Sequence, residues 1–283
     1  MPDYYEIDFL PVHKSDSGDA ISVRYQIGNS WWVHVVDGGF ESTAQAFAEH
    51  IRQNYRTGHI NRMVVTHPDQ DHAEGLAPIL EAFGVEELWM LRPWHYVEQL
   101  LPHFARYDNV AKLRARLRDD YPYIAELERI AIQKGIPILE PFQGAKIGPF
   151  TVLAPSPRRY LNLVLESEKT PQRSIRSRSV LGQLTKLVRP VINYIKAGWG
   201  SEKFSPEPTT VENEMSVVQY AQLCDQTILL TGDAGRDAMT EAANYAPSAG
   251  LVLPGINRFQ APPRKMGSSG CRGTRRTARA GYQ

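Results

Sequence analysis

The 283-residue chain has only two cysteines, Cys224 and Cys271, and no histidine after His103. Two thiols are too few for a disulfide scaffold or a cysteine zinc cluster. All eight histidines (His13, His34, His50, His59, His67, His72, His95 and His103) lie early, so any imidazole chemistry must be built there. No uninterrupted apolar run approaches the roughly 18 residues of a membrane helix. The start, Met1-Pro2-Asp3-Tyr4-Tyr5-Glu6, lacks the basic and apolar parts of a secretion signal. These absences predict a cytoplasmic protein with no membrane partner. Acid is missing after Glu241, where seven basic residues follow, and the body before it holds 25 basic against 31 acidic residues. An acidic body argues against a uniformly basic nucleic-acid-binding surface but leaves room for a local basic patch.

What is present is ordinary globular material, 42% hydrophobic and 22% charged, enough for a sizeable core. Apolar residues alternate or cluster over 4–12 and 20–27, and Trp31-Trp32-Val33-His34-Val35-Val36 is a β-rich run that ends in Asp37-Gly38-Gly39. Helical spacing over 42–56 stops at Thr57-Gly58, and the short strand Met63-Val64-Val65 runs straight into Thr66-His67. Further expectations are a helix over Ala73–Phe83, a strand over Glu86–Leu91 and two helices across 96–134 with a break near Tyr121-Pro122. A hairpin over 145–153 opens a second set of strands that includes 216–223, 226–231 and Gly250–Leu253. Between them, about 156–210, an apolar stripe at Val180, Leu184, Leu187, Val191 and Ile195 predicts a helical insertion able to cover a site. The tail 262–283 is basic and aperiodic, so it is expected to be disordered and to follow a folded domain over 1–261.

Thr66-His67-Pro68-Asp69-Gln70-Asp71-His72 is the densest chemistry in the chain. His67, Asp69, Asp71 and His72 put four potential ligands within six residues, just where a strand gives way to a loop that can turn them toward one point. Imidazole suits zinc, whereas carboxylates shift the preference toward harder ions such as manganese. The plain alternative is a polar turn around Pro68. A second acid after a glycine, Gly232-Asp233, closes another predicted strand and favours the metal reading.

His67-Pro68-Asp69-Gln70-Asp71-His72 resembles the His-x-His-x-Asp-His motif of the metallo-β-lactamase superfamily, with Asp69 in the place of the second histidine. Ser17-Gly18-Asp19-Ala20, Val36-Asp37-Gly38-Gly39 and Asn213-Glu214-Met215-Ser216 are similar to segments of the branch related to ComEC-type competence proteins, and Leu229–Asp233 resembles the segment that carries the superfamily's bridging aspartate. The resemblance covers about residues 6–253. It implies an α/β fold, an αββα sandwich incomplete at its C-terminal end, holding one or two divalent ions, zinc or manganese. It further implies hydrolysis by a metal-bound hydroxide. Carried over by position, His67 and Asp69 would hold one ion, Asp71 and His72 a second, and Asp233 would bridge them. Asp71 would also hold or deprotonate the nucleophile, and Asp37 and Asn213 would support the ligands from behind.

The family usually adds histidines from its second half, and this chain has none. Where the branch shows a Pro-His-His-Gly-Ser segment, this chain reads Ala261-Pro262-Pro263-Arg264-Lys265-Met266-Gly267-Ser268, which predicts either an altered or shortened end near Ala261 or a natural variant with an oxygen-rich site. Elsewhere the plain readings come first: His95, His103, Trp31, Trp32 and Cys224 as structural residues, and Arg173, Arg176, Arg178, Lys186 and Arg189 as a solvated face that could also hold an anionic polymer. The expected function is metal-dependent hydrolysis of phosphodiesters, in nucleic acid or a small nucleotide substrate. The alternatives are hydrolysis of esters, thioesters or lactams on the same fold, or a catalytically impaired metal-binding or regulatory module.

Overall fold

Alternation along the first strands divides their side chains between two cores. Ile7, Ile21, Val23, Tyr25 and Val36 face one way, while Ala20, Val33 and Val35 face the other. A computed structural model, which describes residues 4–12, 18–104, 106–171, 209–251, 253 and 272–277, shows what each face meets. β1 (Tyr4–Phe9), β2 (Ala20–Ile27) and β3 (Ser30–Gly38) form an antiparallel meander. β4 (His59–Val64), β5 (Gly84–Trp89) and β6 (Ile138–Leu139) then continue it in parallel.

Helices supply the crossovers between those parallel strands: α1 (Glu41–His50), α2 (Gln70–Ala73), α3 (Leu76–Ala82), α4 (Val97–Leu100), α5 (Val110–Asp120) and α6 (Pro122–Lys134). Asn109 caps α5 by accepting from the amides of Ala111 and Lys112, and Gly135, at φ 68°, ends α6. The apolar stripes of α1, α3, α5 and α6 bury Phe47, Leu80, Leu117 and Leu127 against Ile60, Met63 and Leu88 of the sheet. A second sheet is antiparallel throughout, in the order β10-β9-β8-β7: β7 (Lys146–Ile147), β8 (Phe150–Ala154), β9 (Val218–Leu223) and β10 (Gln226–Leu230). Phe150, Val152, Ala221 and Leu223 close on Val23, Tyr25, Val36 and Val64 of the first sheet. On the outside, α8 (Arg236–Tyr245) lays Ala242 on Leu153, Val218 and Tyr220. Helix, sheet, sheet, helix is therefore the layer order, an αββα sandwich, with α7 (Pro157–Glu166) following β8.

Several expectations change in detail. The helix expected over 73–83 begins only at Leu76, after a separate short helix that ends at Ala73, because Gly75 lies on the end of β3: its amide bonds Gly39 O at 2.8 Å, and a Cβ at Gly75 would stand 2.1 Å from Gly38 O. The stretch 96–134 holds three helices. Gly250 and Leu251 are not in a strand; Gly250, at φ 70°, closes the turn after α8, a helix the sequence pattern does not reveal. Within the tail expected to be disordered, β11 (Arg272–Thr277) pairs parallel to β1 at the sheet edge. The apolar stripe at Val180–Ile195, the basic run from Arg173 to Arg189 and the junction near Ala261 lie outside the described residues. Among the described residues no helix is long and apolar enough to cross a membrane.

Candidate metal centre

β3 and β4 run parallel and deliver Asp37 and Thr66 side by side at their carboxyl ends, the edge where α/β sheets collect ligands. Asp37 sits at φ 56°, an uncommon angle for a residue with a side chain, and is fully buried. Its carboxylate is completely engaged. The Thr66 amide donates to Oδ1 (2.8 Å), the Thr66 hydroxyl donates to Oδ2 (2.5 Å), and His72 Nδ1 donates to Oδ2 (2.8 Å).

That one carboxylate orients two histidines. His72 Nδ1 donates to Asp37, which turns Nε2 toward the other carboxylates. The Thr66 hydroxyl proton is committed to Asp37, so Thr66 Oγ1 accepts from His67 Nδ1, 3.0 Å away, with Ser216 Oγ at 3.3 Å on the same nitrogen. His67 Nε2 is thereby left free. The two rings lie 4.1 Å apart between centroids. Both Nε2 atoms are buried and meet no hydrogen-bond partner. Buried polar atoms are rarely left so, and two imidazole nitrogens bared beside carboxylates are what a divalent cation needs.

The carboxylates arrive from three places. The chain turns into α2 at Asp69, whose side chain does not cap that helix. Asp69 Oδ2 stands 3.7 Å from His67 Nε2, and Oδ1 accepts from Lys169 Nζ at 2.6 Å. Asp71 Oδ2 is 3.8 Å from His72 Nε2. Asp233, from the turn after β10, places Oδ2 3.5 Å from His72 Nε2, and the Asn213 amide reaches that same oxygen at 3.5 Å. The residues expected from the sequence thus converge, but unevenly: Asp71 and Asp233 stand by His72, and Asp69 stands by His67. Asp37, His67 and His72 also have donor atoms within 4.8 Å of one another. Asp37 already accepts three hydrogen bonds, from the Thr66 amide, the Thr66 hydroxyl and His72 Nδ1, which fits it to orient the two imidazoles.

Charge follows the same division. Burial holds the His67 imidazole down at about 4, helped by the positive charge on His72, so His67 is neutral in the physiological range. Burial works against charge on His72 too, but the Asp233 and Asp37 carboxylates outweigh it and lift His72 to about 11. Burial opposes ionisation of Asp233, yet the neighbouring histidines hold its carboxyl below the usual range. Asp71 is raised, chiefly by burial. The His72 proton thus supplies positive charge among these carboxylates.

One member of this cluster escaped the sequence reading. Asp19 has a carboxylate oxygen within 4.8 Å of ligand atoms of both His72 and Asp233. Burial and the surrounding Asp37, Asp233 and Asp71 carboxylates push it up to about 6, against the pull of His72. Its signal was a Gly-Asp pair, Gly18-Asp19, repeated at Gly232-Asp233.

No family model matches the chain, and no curated protein does. Among solved structures, a metallo-beta-lactamase from Cronobacter sakazakii (Enterobacter sakazakii), altered in its HARLDQ motif, is similar to it at 16% identity with a TM-score of 0.27. The likeness covers 48% of this chain and 47% of that one, so the chain spans about half the length of the structure it matches.

Proposed function

We propose that the chain is a metal-dependent hydrolase of phosphodiesters, in nucleic acid or a small nucleotide, working through His67, Asp69, Asp71, His72 and Asp233. The observation that carries this reading is the pair of buried, partnerless Nε2 atoms facing carboxylates. A divalent ion held there supplies a nucleophile at neutral pH, by lowering the pKa of water, and steadies developing negative charge. Asp37, directly and through Thr66, keeps both imidazoles turned toward the centre. Asp71 is partly exposed, beside the centre and raised in pKa by burial, which suits it to accept a proton from the attacking water.

Two features favour a phosphodiester over a lactam, ester or thioester. The donor set is rich in carboxylate oxygen, which suits manganese better than zinc. Lys169 stands at the rim with its side chain 44% exposed, where an ammonium can meet a substrate phosphate. The branch related to ComEC-type competence proteins fits this substrate class and belongs to the same proposal.

A second reading also rests on Lys169. Its bond to Asp69 competes with an ion at His67, so a catalytically impaired metal-binding or regulatory module is the alternative. Metal analysis of the purified protein followed by manganese- and zinc-loaded assays distinguishes them. Turnover of bis-p-nitrophenyl phosphate or single-stranded DNA, lost in Asp71→Asn, supports the enzyme. Retained ion without turnover of these or of ester, thioester and lactam substrates supports the module, and failure to retain any ion sinks both.

A further inference from the structure

The region around His72 has a carboxylate beyond those the motif supplies. Two glycine-aspartate pairs from opposite ends of the chain press on the motif segment. A Cβ at Gly18 would stand 2.2 Å from the backbone oxygen of Asp71, and one at Gly232 would stand 2.9 Å from Thr66 Oγ1. Each bare glycine lets its backbone lie against the motif, and each hands the next residue, Asp19 or Asp233, to the same side of His72. The outcome is a set of ligand atoms from Asp19, His72 and Asp233 within 4.8 Å of one another. Asp71 Oδ2 lies 3.8 Å from His72 Nε2, which is buried and has no hydrogen-bond partner.

We infer that Asp19 is a direct ligand of the ion at His72, giving that site three carboxylates and one imidazole and a preference for manganese over zinc. The inference rests on the metal reading above and deepens it. Asp19 fills a need the sequence creates, since no histidine after His103 exists to complete a site. Hard oxygen donors in place of that nitrogen shift selectivity away from zinc and toward ions that accept carboxylate-rich shells. Mutual repulsion among Asp19, Asp71 and Asp233 is the cost of the arrangement when no ion is present.

The test compares manganese and zinc binding by titration calorimetry in the wild type, Asp19→Asn, Asp19→Glu and Gly18→Ala, with thermal melting of each metal-free protein alongside. Asp19→Asn should weaken the manganese site by at least about tenfold and zinc by less, while the metal-free variant melts at or above the wild-type temperature because a repelling charge is gone. Asp19→Glu should recover part of the loss, and Gly18→Ala should mimic Asp19→Asn by pushing the turn away. Undiminished manganese affinity in Asp19→Asn, with binding still abolished by His72→Ala, overturns the role of Asp19 and leaves the metal reading standing. A metal-free Asp19→Asn that melts below wild type or fails to fold makes Asp19 a structural residue and overturns the inference equally. No ion bound by the wild type overturns the metal reading itself and the inference with it.

Discussion

His67 and His72 are neighbours held by one carboxylate, yet their surroundings could hardly differ more. Beside His72 stand Asp71, Asp233 and Asp19. Beside His67 stands Asp69, with one oxygen already bonded to Lys169. Burial is nearly the same for the two rings, so it does not explain why one is pushed down to about 4 and the other up to about 11. Direct contact explains it: the Asp233 and Asp37 carboxylates pull on His72 through hydrogen bonds as well as charge, whereas Asp37, Asp69 and Asp233 act on His67 through space alone. Asp37 thus orients both rings, and with Asp233 it charges one of them.

The comparison is most severely tested at Asp37, where Asp37→Ala should collapse both sides together. It strands the Thr66 amide and hydroxyl and His72 Nδ1 in a buried place, so denaturant unfolding should show a loss of about 3–5 kcal/mol, and metal analysis no retained ion. His72→Ala and His67→Ala should differ instead of matching. Losing His72 should remove the tighter ion and reduce turnover by at least about a thousandfold, whereas losing His67 should leave one ion bound, as counted by elemental analysis.

The opposite titrations provide a third test, on metal-free protein. His72 is raised, so its stabilisation is fully present below pH about 6.5, its unfolded value, and is lost as pH rises through about 11. His67 is lowered, so its contribution is present above pH about 6.5 and lost as pH falls through about 4. Melting temperature against pH should therefore lose its alkaline decline in His72→Asn and soften its acid decline in His67→Asn, with the larger effect at His72, whose value is displaced further. His34 complicates the acid limb in both proteins. It is fully buried between the sheets against Phe150 and Gln219, and burial holds it down at about 3. A His67→Asn curve identical to wild type from pH 7 to 4 would contradict the assignment. The smallest effect belongs to Lys169→Met. An exposed ion pair contributes about 1 kcal/mol at most, but freeing Asp69 should tighten the weaker ion several-fold by calorimetry and raise KM for an anionic substrate.

Much of this arrangement is legible in the sequence, because it depends on local pattern. The strands around Val35 and Val64, the loop from His67 to His72 and the turn at Asp233 all follow an alternating or apolar run that ends in polar residues. What could not be read depends on distant backbone approach. Gly75 breaks a helix whose apolar spacing is continuous, only because Gly38 lies against it. Lys169 meets Asp69 across a hundred residues of chain, and nothing in either neighbourhood announces the pair. Asp19 lay in a recognised turn but was not assigned to the centre, since proximity to His72 is a property of how β2 enters the sheet. β11 has no apolar periodicity to mark it and is identified as a strand by its partner, β1.

The chain of hydrogen bonds from Asp37 through Thr66 to His67 also limits how such a centre can change. Two ligands that depend on one buried group cannot drift apart: a substitution at Asp37 that retunes His72 disturbs His67 in the same stroke. Freedom lies at the periphery, in Asp19, Asp69 and Lys169, each of which touches one side only. The charge around the two rings can therefore be altered there one residue at a time, by selection or by design, while the frame that aims the imidazoles stays fixed.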